Sequence, residues 1–202
     1  MKKGLLIIVS GPAGSGKGTV LSKLMAGCDE YVYSVSATTR KPRETDIEGV
    51  TYSFITREQF EEKIARGEML EYAEYVGNYY GTPKAPVEAA LESGKNVVLE
   101  IETKGAEQVM KNAPDALSIM ILPPNGKTLR ERLVGRGTET PDVIERRMET
   151  ARGEVKKLPL YDYVVINNDG AADEAAELIR SIIAAEKAKT KRNNDIADNY
   201  FN

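Results

Sequence analysis

The sequence predicts an α/β protein built on a doubly wound, mainly parallel sheet, and three observations carry that expectation. Four short apolar runs lack polar alternation, as strands covered on both faces do: "LLIIV" (5–9), "NVVLEI" (96–101), "LSIMIL" (117–122) and "YVVIN" (163–167). Helical patterns alternate with these runs, the order that crossovers between parallel strands require. A glycine-rich stretch, "GPAGSGKGT" (11–19), joins the first run to the first helical pattern.

Taken in order, the elements divide the chain into three parts. After the glycine stretch, Val20, Leu21, Leu24 and Met25 make one apolar stripe, with Gly27 as a stop signal. "YVYSVS" (31–36) reads as a fifth strand. Residues 37–85 break the rhythm: they are rich in Thr, Glu, Arg and Tyr, with short alternating runs ("TYSFI", "EYAEYVGNYYG") around one helix. That helix begins at Thr56 with Gln59 three residues on, a capping box. A second charged stretch, 125–158, is helical, with Pro141 in the first turn after Thr140. The last helix, "DEAAELIRSIIAAEKAK" (173–189), carries Leu178, Ile182 and Ile183 on one side. The core therefore comprises residues 1–36, 86–124 and 159–202. The segments 37–85 and 125–158 are insertions at the carboxyl edge of the sheet, where open α/β sheets bind ligands. For the tail "TKRNNDIADNYFN" two expectations stay open, fraying or a contact between chains.

Composition bounds the function. The chain has 202 residues, one domain's worth, with 41% apolar and 29% charged residues. A net charge of −3 and a pI of about 5.3 argue against a basic face for nucleic acid or anionic membrane, so neither is an expected partner. One cysteine, Cys28, excludes an internal disulfide framework and suits a reducing compartment. Its thiol reads as a small hydrophobe. The start "MKKGLLIIVSGPAG" imitates a signal peptide, but its apolar run is shorter than the roughly 7–15 residues of such a segment. No stretch approaches the roughly 18 apolar residues of a membrane helix, so the expected location is the cytoplasm.

The glycine stretch carries the first chemistry. Gly11-x4-Gly16-Lys17, after a strand and opening a helix, is a phosphate loop in its proper context. Glycines let successive N–H groups turn onto phosphate oxygens, and the helix N-terminus adds partial positive charge. Gly11, Pro12, Ala13, Gly14, Ser15, Gly16, Lys17, Gly18 and Thr19 are thus candidate ATP-binding residues, with Lys17 reaching the β- and γ-phosphates. Gly18 stands where a serine or threonine usually offers magnesium its hydroxyl. "GKGT" here resembles adenylate kinases and other nucleoside monophosphate kinases, which work without that ligand.

A second set of residues follows. Arg40 and Arg43, three apart, suit bidentate capture of a phosphate dianion, with Ser36 upstream and Tyr52 downstream. Then "EMLEYAEYVGNYYGT" (68–82) brings Glu71, Tyr80 and Thr82. Glu100 and Glu102 lie two apart at a strand end, so both are expected on one face.

"SVSATTRKPR", "GNYYGT", "LEIETKGA", "GRGTET" and "VINND", in this order behind a phosphate loop, resemble the guanylate kinase family from about residue 4 to about 187. The resemblance implies phosphoryl transfer from ATP to GMP with Mg²⁺, on a P-loop core with an inserted α+β acceptor unit and a helical lid. It implies that Glu71 accepts from guanine's N1–H and N2–H2, that Ser36 and Thr82 give to O6, and that Arg40, Arg43, Tyr52 and Tyr80 hold the GMP phosphate. Glu100 would orient magnesium-bound water and Glu102 would face guanine, although the family often has aspartate at these positions. Arg132, Arg136 and Arg147 would come from the lid onto the transferred phosphoryl group. Asn168 matches a position near the adenine, and is also a turn residue in "NNDG". The chain's lack of histidine agrees, since a phosphate acceptor needs no general base. The remaining alternatives are a kinase for another nucleoside monophosphate, a non-catalytic domain of the same fold, and a regulatory GTPase. Glu71 with "NYYGT", the retained Lys17, and the lack of an Asn-Lys-x-Asp motif argue against them in turn.

Overall fold

The first apolar run forms β1 (Leu6–Ser10), buried along its whole length, and the glycine stretch leads from it into α1 (Lys17–Met25). In the computed structural model, which describes residues 2–135, 137 and 139–199, the chain then gives β2 (Tyr31–Tyr33), β3 (Ala37–Thr38) and β4 (Ser53–Phe54). α2 (Arg57–Ala65) starts at the expected box: Gln59 N–H donates to Thr56 Oγ1 at 3.2 Å, and Thr56 N–H to Gln59 Oε1 at 2.9 Å. β5 (Met69–Tyr75) and β6 (Asn78–Pro83) form a hairpin. Its two turn residues, Val76 and Gly77, both have positive φ, as the tight turns matching strand twist require. There follow α3 (Lys84–Glu92), β7 (Asn96–Glu100), α4 (Thr103–Asn112), β8 (Leu117–Leu122), α5 (Gly126–Gly135), α6 (Pro141–Val155), β9 (Tyr163–Ile166), α7 (Ala172–Ala188) and α8 (Asp195–Asn199).

Five of these strands make a parallel sheet in the order β2-β7-β1-β8-β9. β2 and β7 lie on one side of β1 and β8 and β9 on the other, which opens a crevice above its carboxyl end. Period-two alternation divides the core between the two faces. Leu5, Ile7 and Val9 meet α1 and α7 through Leu21, Leu24, Ile179 and Ile183. Leu6 and Ile8 meet α3 and α4 through Val87, Leu91 and Val109. A second sheet, β4-β3-β6-β5, is drawn wholly from residues 37–83 and is antiparallel except for β3 with β4. α5 and α6 pack on each other through Leu129, Leu133, Ile144 and Ala151.

Three details differ from expectation. Leu178 is 48% exposed, and the buried stripe of α7 is Ala175, Ala176, Ile179, Ile182 and Ile183. At about 100° per residue, position 179 falls in line with 175, 182 and 183, and position 178 turns outward. The strand expected over 31–36 ends at Tyr33. Beyond it Ser34 N–H still donates to Val98 at 3.0 Å, while the Ser36 carbonyl accepts from Ser53 at 2.9 Å, so the chain crosses here between the sheets. The start of the tail folds back onto the core, where Arg192 donates to the Asp115 carbonyl at 2.8 Å. No helix among the described residues is long and apolar enough to cross a membrane.

Candidate active site

The phosphate loop sits at the carboxyl end of β1. Gly16, at φ +86°, turns the chain into α1 with no side-chain cap, so the amino end of the helix lies at the loop. A Cβ on Gly16 would strike Asn167 Nδ2, and one on Gly14 would lie 3.1 Å from Leu129 of α5, so the loop is gripped from both neighbours. Lys17 Nζ donates to the Gly11 and Pro12 carbonyls at 2.5 and 3.2 Å, which folds the lysine over its own loop. Ser15 N–H closes a turn on Pro12 at 3.0 Å, while its buried hydroxyl has no hydrogen-bond partner among the described residues. Ala13, Gly18 and Thr19 face solvent.

Asn167 braces the loop, while the resemblance gives its neighbour Asn168 a different role, near the adenine. Asn167 is buried and donates from Nδ2 to the Ser15 carbonyl at 2.9 Å. Asn168 is exposed, and its carbonyl closes the turn to Ala171. Arg132 of α5 joins the same network. It donates to the Asn167 carbonyl at 2.8 Å and to the Ser15 carbonyl at 3.3 Å, and pairs with Asp169 at 2.6 Å. Arg147 of α6 pairs with Glu139 at 2.7 Å. Arg136 lies outside the described residues.

On the second sheet, Glu71 of β5 is buried opposite Thr82 of β6, whose hydroxyl donates to Glu71 Oε1 at 2.7 Å. Burial pushes the Glu71 carboxyl above the ordinary carboxylate range, and the Thr82 hydrogen bond pulls it partly back. Gly105 of α4 leaves the other oxygen its room, since a Cβ there would sit 2.8 Å from Glu71 Oε2. Arg40 lies over the Tyr52 ring and grips Asp46 with both terminal nitrogens, at 2.9 and 3.2 Å. Asp46 also accepts the Arg43 backbone N–H at 2.7 Å, while the Arg43 side chain is exposed. Tyr80 meets Tyr52 edge to face at 5.9 Å, and Ser36 is half-buried at the crossing between the sheets.

The strand that carries the first of the two candidate carboxylates is shorter than expected. Glu100 ends β7 beside Val9, but the strand stops there, and Glu102 is the N-cap of α4. The period-two rule therefore does not reach Glu102. Both are exposed. A further carboxylate lies near Glu102: burial raises the pKa of Glu154 on α6, Lys17 lowers it and Glu102 raises it again.

Asp46, Gly105, Glu154 and Asn167 were missed in the sequence. Only Asn167, the first residue after the last core strand, had a local signal, its place at the carboxyl edge of the sheet.

A phosphate loop on the central strand of a parallel sheet, a second sheet with a buried carboxylate, and a helical pair packed on the loop define a P-loop kinase. The guanylate kinase family pattern matches residues 3–186. A guanylate kinase of Shouchella clausii is 51% identical over 95% of this chain and 92% of its own length. One of Clostridioides difficile is 48% identical over 100% and 97%. A crystal structure of guanylate kinase from Anaplasma phagocytophilum superposes with a TM-score of 0.72, at 30% identity, covering 98% of this chain and 96% of that one. The chain belongs to the guanylate kinase family, and it is an enzyme.

Proposed function

We propose that this chain transfers the γ-phosphoryl group of ATP to the phosphate of GMP, giving ADP and GDP. The observation that carries the reading is the buried Glu71–Thr82 pair. Guanine offers two adjacent donors, N1–H and N2–H2, beside the O6 acceptor. An ionised Glu71 accepts both donors, and hydroxyls of Thr82 and Ser36 give to O6, the Thr82 hydroxyl turning from Glu71 Oε1 to the base as guanine's donors take its place. Adenine reverses this edge and would leave a buried carboxylate against an acceptor, a mismatch that hydrogen-bonded sites reject by roughly 10⁴-fold.

Arg40, Arg43, Tyr52 and Tyr80 hold the acceptor phosphate. Asp46 holds Arg40 by both nitrogens, the same fork that a phosphate dianion takes, so the guanidinium is oriented before substrate arrives. The loop N–H groups and Lys17 receive the ATP phosphates, with the Lys17 ammonium moving from the loop carbonyls to phosphate oxygens. Arg132, Arg136 and Arg147 neutralise charge on the transferred group. The acceptor oxygen is already largely ionised, with a second phosphate pKa of about 6, so positioning and charge neutralisation suffice.

The site suits a Mg²⁺ ion that arrives with ATP. Gly18 opens onto free space and offers the ion no hydroxyl, and the exposed Glu100 carboxylate beside β1 can hold its water. Bound there, Mg²⁺ would neutralise β- and γ-phosphate charge while keeping several waters. The segments 37–85 and 125–158 act as the acceptor-binding unit and the lid, closing over the core to exclude water. The expected setting is the cytoplasm.

A coupled assay of ADP formation with GMP, AMP, UMP and CMP tests the proposal. ATP-dependent turnover confined to GMP supports it. Equal or greater turnover with another monophosphate would overturn it.

A further inference from the structure

Strand β5 is the outer strand of the second sheet, with β6 as its one strand neighbour among the described residues. An outer strand leaves alternate N–H and C=O groups without a ladder partner. Here that side faces α4 of the core, and side chains stand in for a neighbouring strand. The Gln108 amide engages the Tyr72 backbone at both groups: Oε1 accepts from the Tyr72 N–H at 3.1 Å, and Nε2 donates to the Tyr72 carbonyl at 3.0 Å. One turn further, Asn112 Nδ2 donates to the Leu70 carbonyl at 2.9 Å. The residues held in this way, Leu70 and Tyr72, are the two on either side of Glu71.

The same helix face also meets the carboxylate. Gly105, Gln108 and Asn112 are spaced by three and four, so they line one side of α4. Gly105 gives room to Glu71 Oε2, and the two amides hold the chain before and after Glu71. The β5–β6 ladder holds Glu71 from the other side, and its register shifts just before it, between Met69 and Glu71.

We propose that Gln108, supported by Asn112, is a positioning residue for base recognition, holding the Glu71 carboxylate where both its oxygens reach one base edge. The proposal rests on the reading of Glu71 as the group that takes the two guanine donors. A carboxylate that must accept two hydrogen bonds at once tolerates little tilt of its strand. Loss of the clamp should therefore harm a two-donor base more than a one-donor base.

The test is Gln108→Met, which keeps the length of the side chain and removes both bonds to Tyr72. Initial rates are compared with GMP and with IMP, which lacks the exocyclic amino group and offers one donor. The expected result is a fall of about tenfold in kcat/KM for GMP, carried by KM, with a smaller fall for IMP and an unchanged KM for ATP. Amide exchange over residues 69–75 should quicken while Leu6–Ser10 stays protected. Equal losses for GMP and IMP, or an unchanged preference, overturn the proposal. Asn112→Leu removes the single bond to Leu70 and should shift the preference the same way by less; no shift in that folded variant counts equally against the clamp. Glu71→Gln separates the two levels. If it abolishes the preference and Gln108→Met does not, the positioning role fails alone. If it leaves the preference intact, the reading of Glu71 fails with it.

Discussion

Asp46 holds Arg40 by both terminal nitrogens, at 2.9 and 3.2 Å, in the fork-to-fork geometry that a phosphate dianion would use. The carboxylate therefore presents the guanidinium and competes for it. Lysine at position 40 can make one contact at a time and cannot reproduce the planar fork. Arg40→Lys should lower kcat/KM for GMP by about 10- to 100-fold, and Arg43→Lys by less, because the Arg43 side chain is exposed and not preset. Steady-state kinetics with varied GMP check this. Near-normal values in both variants would return the pair to a solvated loop.

Lys17→Met should retain less than about a tenth of the wild-type rate, because the lysine acts on phosphate charge. It also removes two hydrogen bonds to loop carbonyls, so a small drop in Tm is expected with the fold intact. Rates and far-UV circular dichroism on the same preparation check both halves.

Glu71 makes stability depend on pH. Its folded pKa lies above the ordinary 4.5, so between those two values the native state binds more protons than the unfolded chain. The stability from this group is full below 4.5 and is lost as pH rises through the folded value. Glu71→Gln removes the titration, so the Tm of the variant should gain on the wild type as pH climbs through that window. GMP works in the opposite direction, since its donors select the ionised carboxylate, and its affinity should rise with pH over the same range. Calorimetry of the free proteins and GMP titrations across the window check the two signs. A Tm difference that does not change with pH would contradict the account.

Asn167→Ala removes the bond to the Ser15 carbonyl and should cost about 1–3 kcal/mol of stability. The loss falls on the phosphate loop, so KM for ATP should rise more than KM for GMP. Chemical denaturation with two-substrate kinetics checks it, and a larger effect on GMP would place Asn167 elsewhere in the mechanism.

Gly18→Ser should be tolerated. A Cβ at position 18 meets nothing within 4 Å, and serine is the better helix residue by a few tenths of a kcal/mol. Activity and Tm should stay close to wild type. If Mg²⁺ comes with the nucleotide, titration of either protein without ATP should detect only weak binding.

The sequence alone determined the local features of this protein, because their physical causes act over a few residues. The unbroken apolar runs located four strands of the first sheet to within one residue of their ends, and the Thr56–Gln59 box placed the start of α2. The glycine spacing marked the phosphate loop, and the ordered motifs brought Arg40, Glu71 and Thr82 into one acceptor reading. Tertiary structure decided which neighbours meet. Asn167 supports the loop across 152 positions of sequence, because β9 packs beside β8 and its first following residue is buried there. Leu178 turned to solvent because the angle of a helix against its sheet, not the count of apolar residues, selects the buried stripe. The hold of Asp46 on Arg40, and that of Gln108 on the chain beside Glu71, join groups whose pairing no local pattern specifies. Backbone periodicity is written residue by residue, whereas the partner of a buried polar group is chosen only when distant segments are packed together and each must be satisfied.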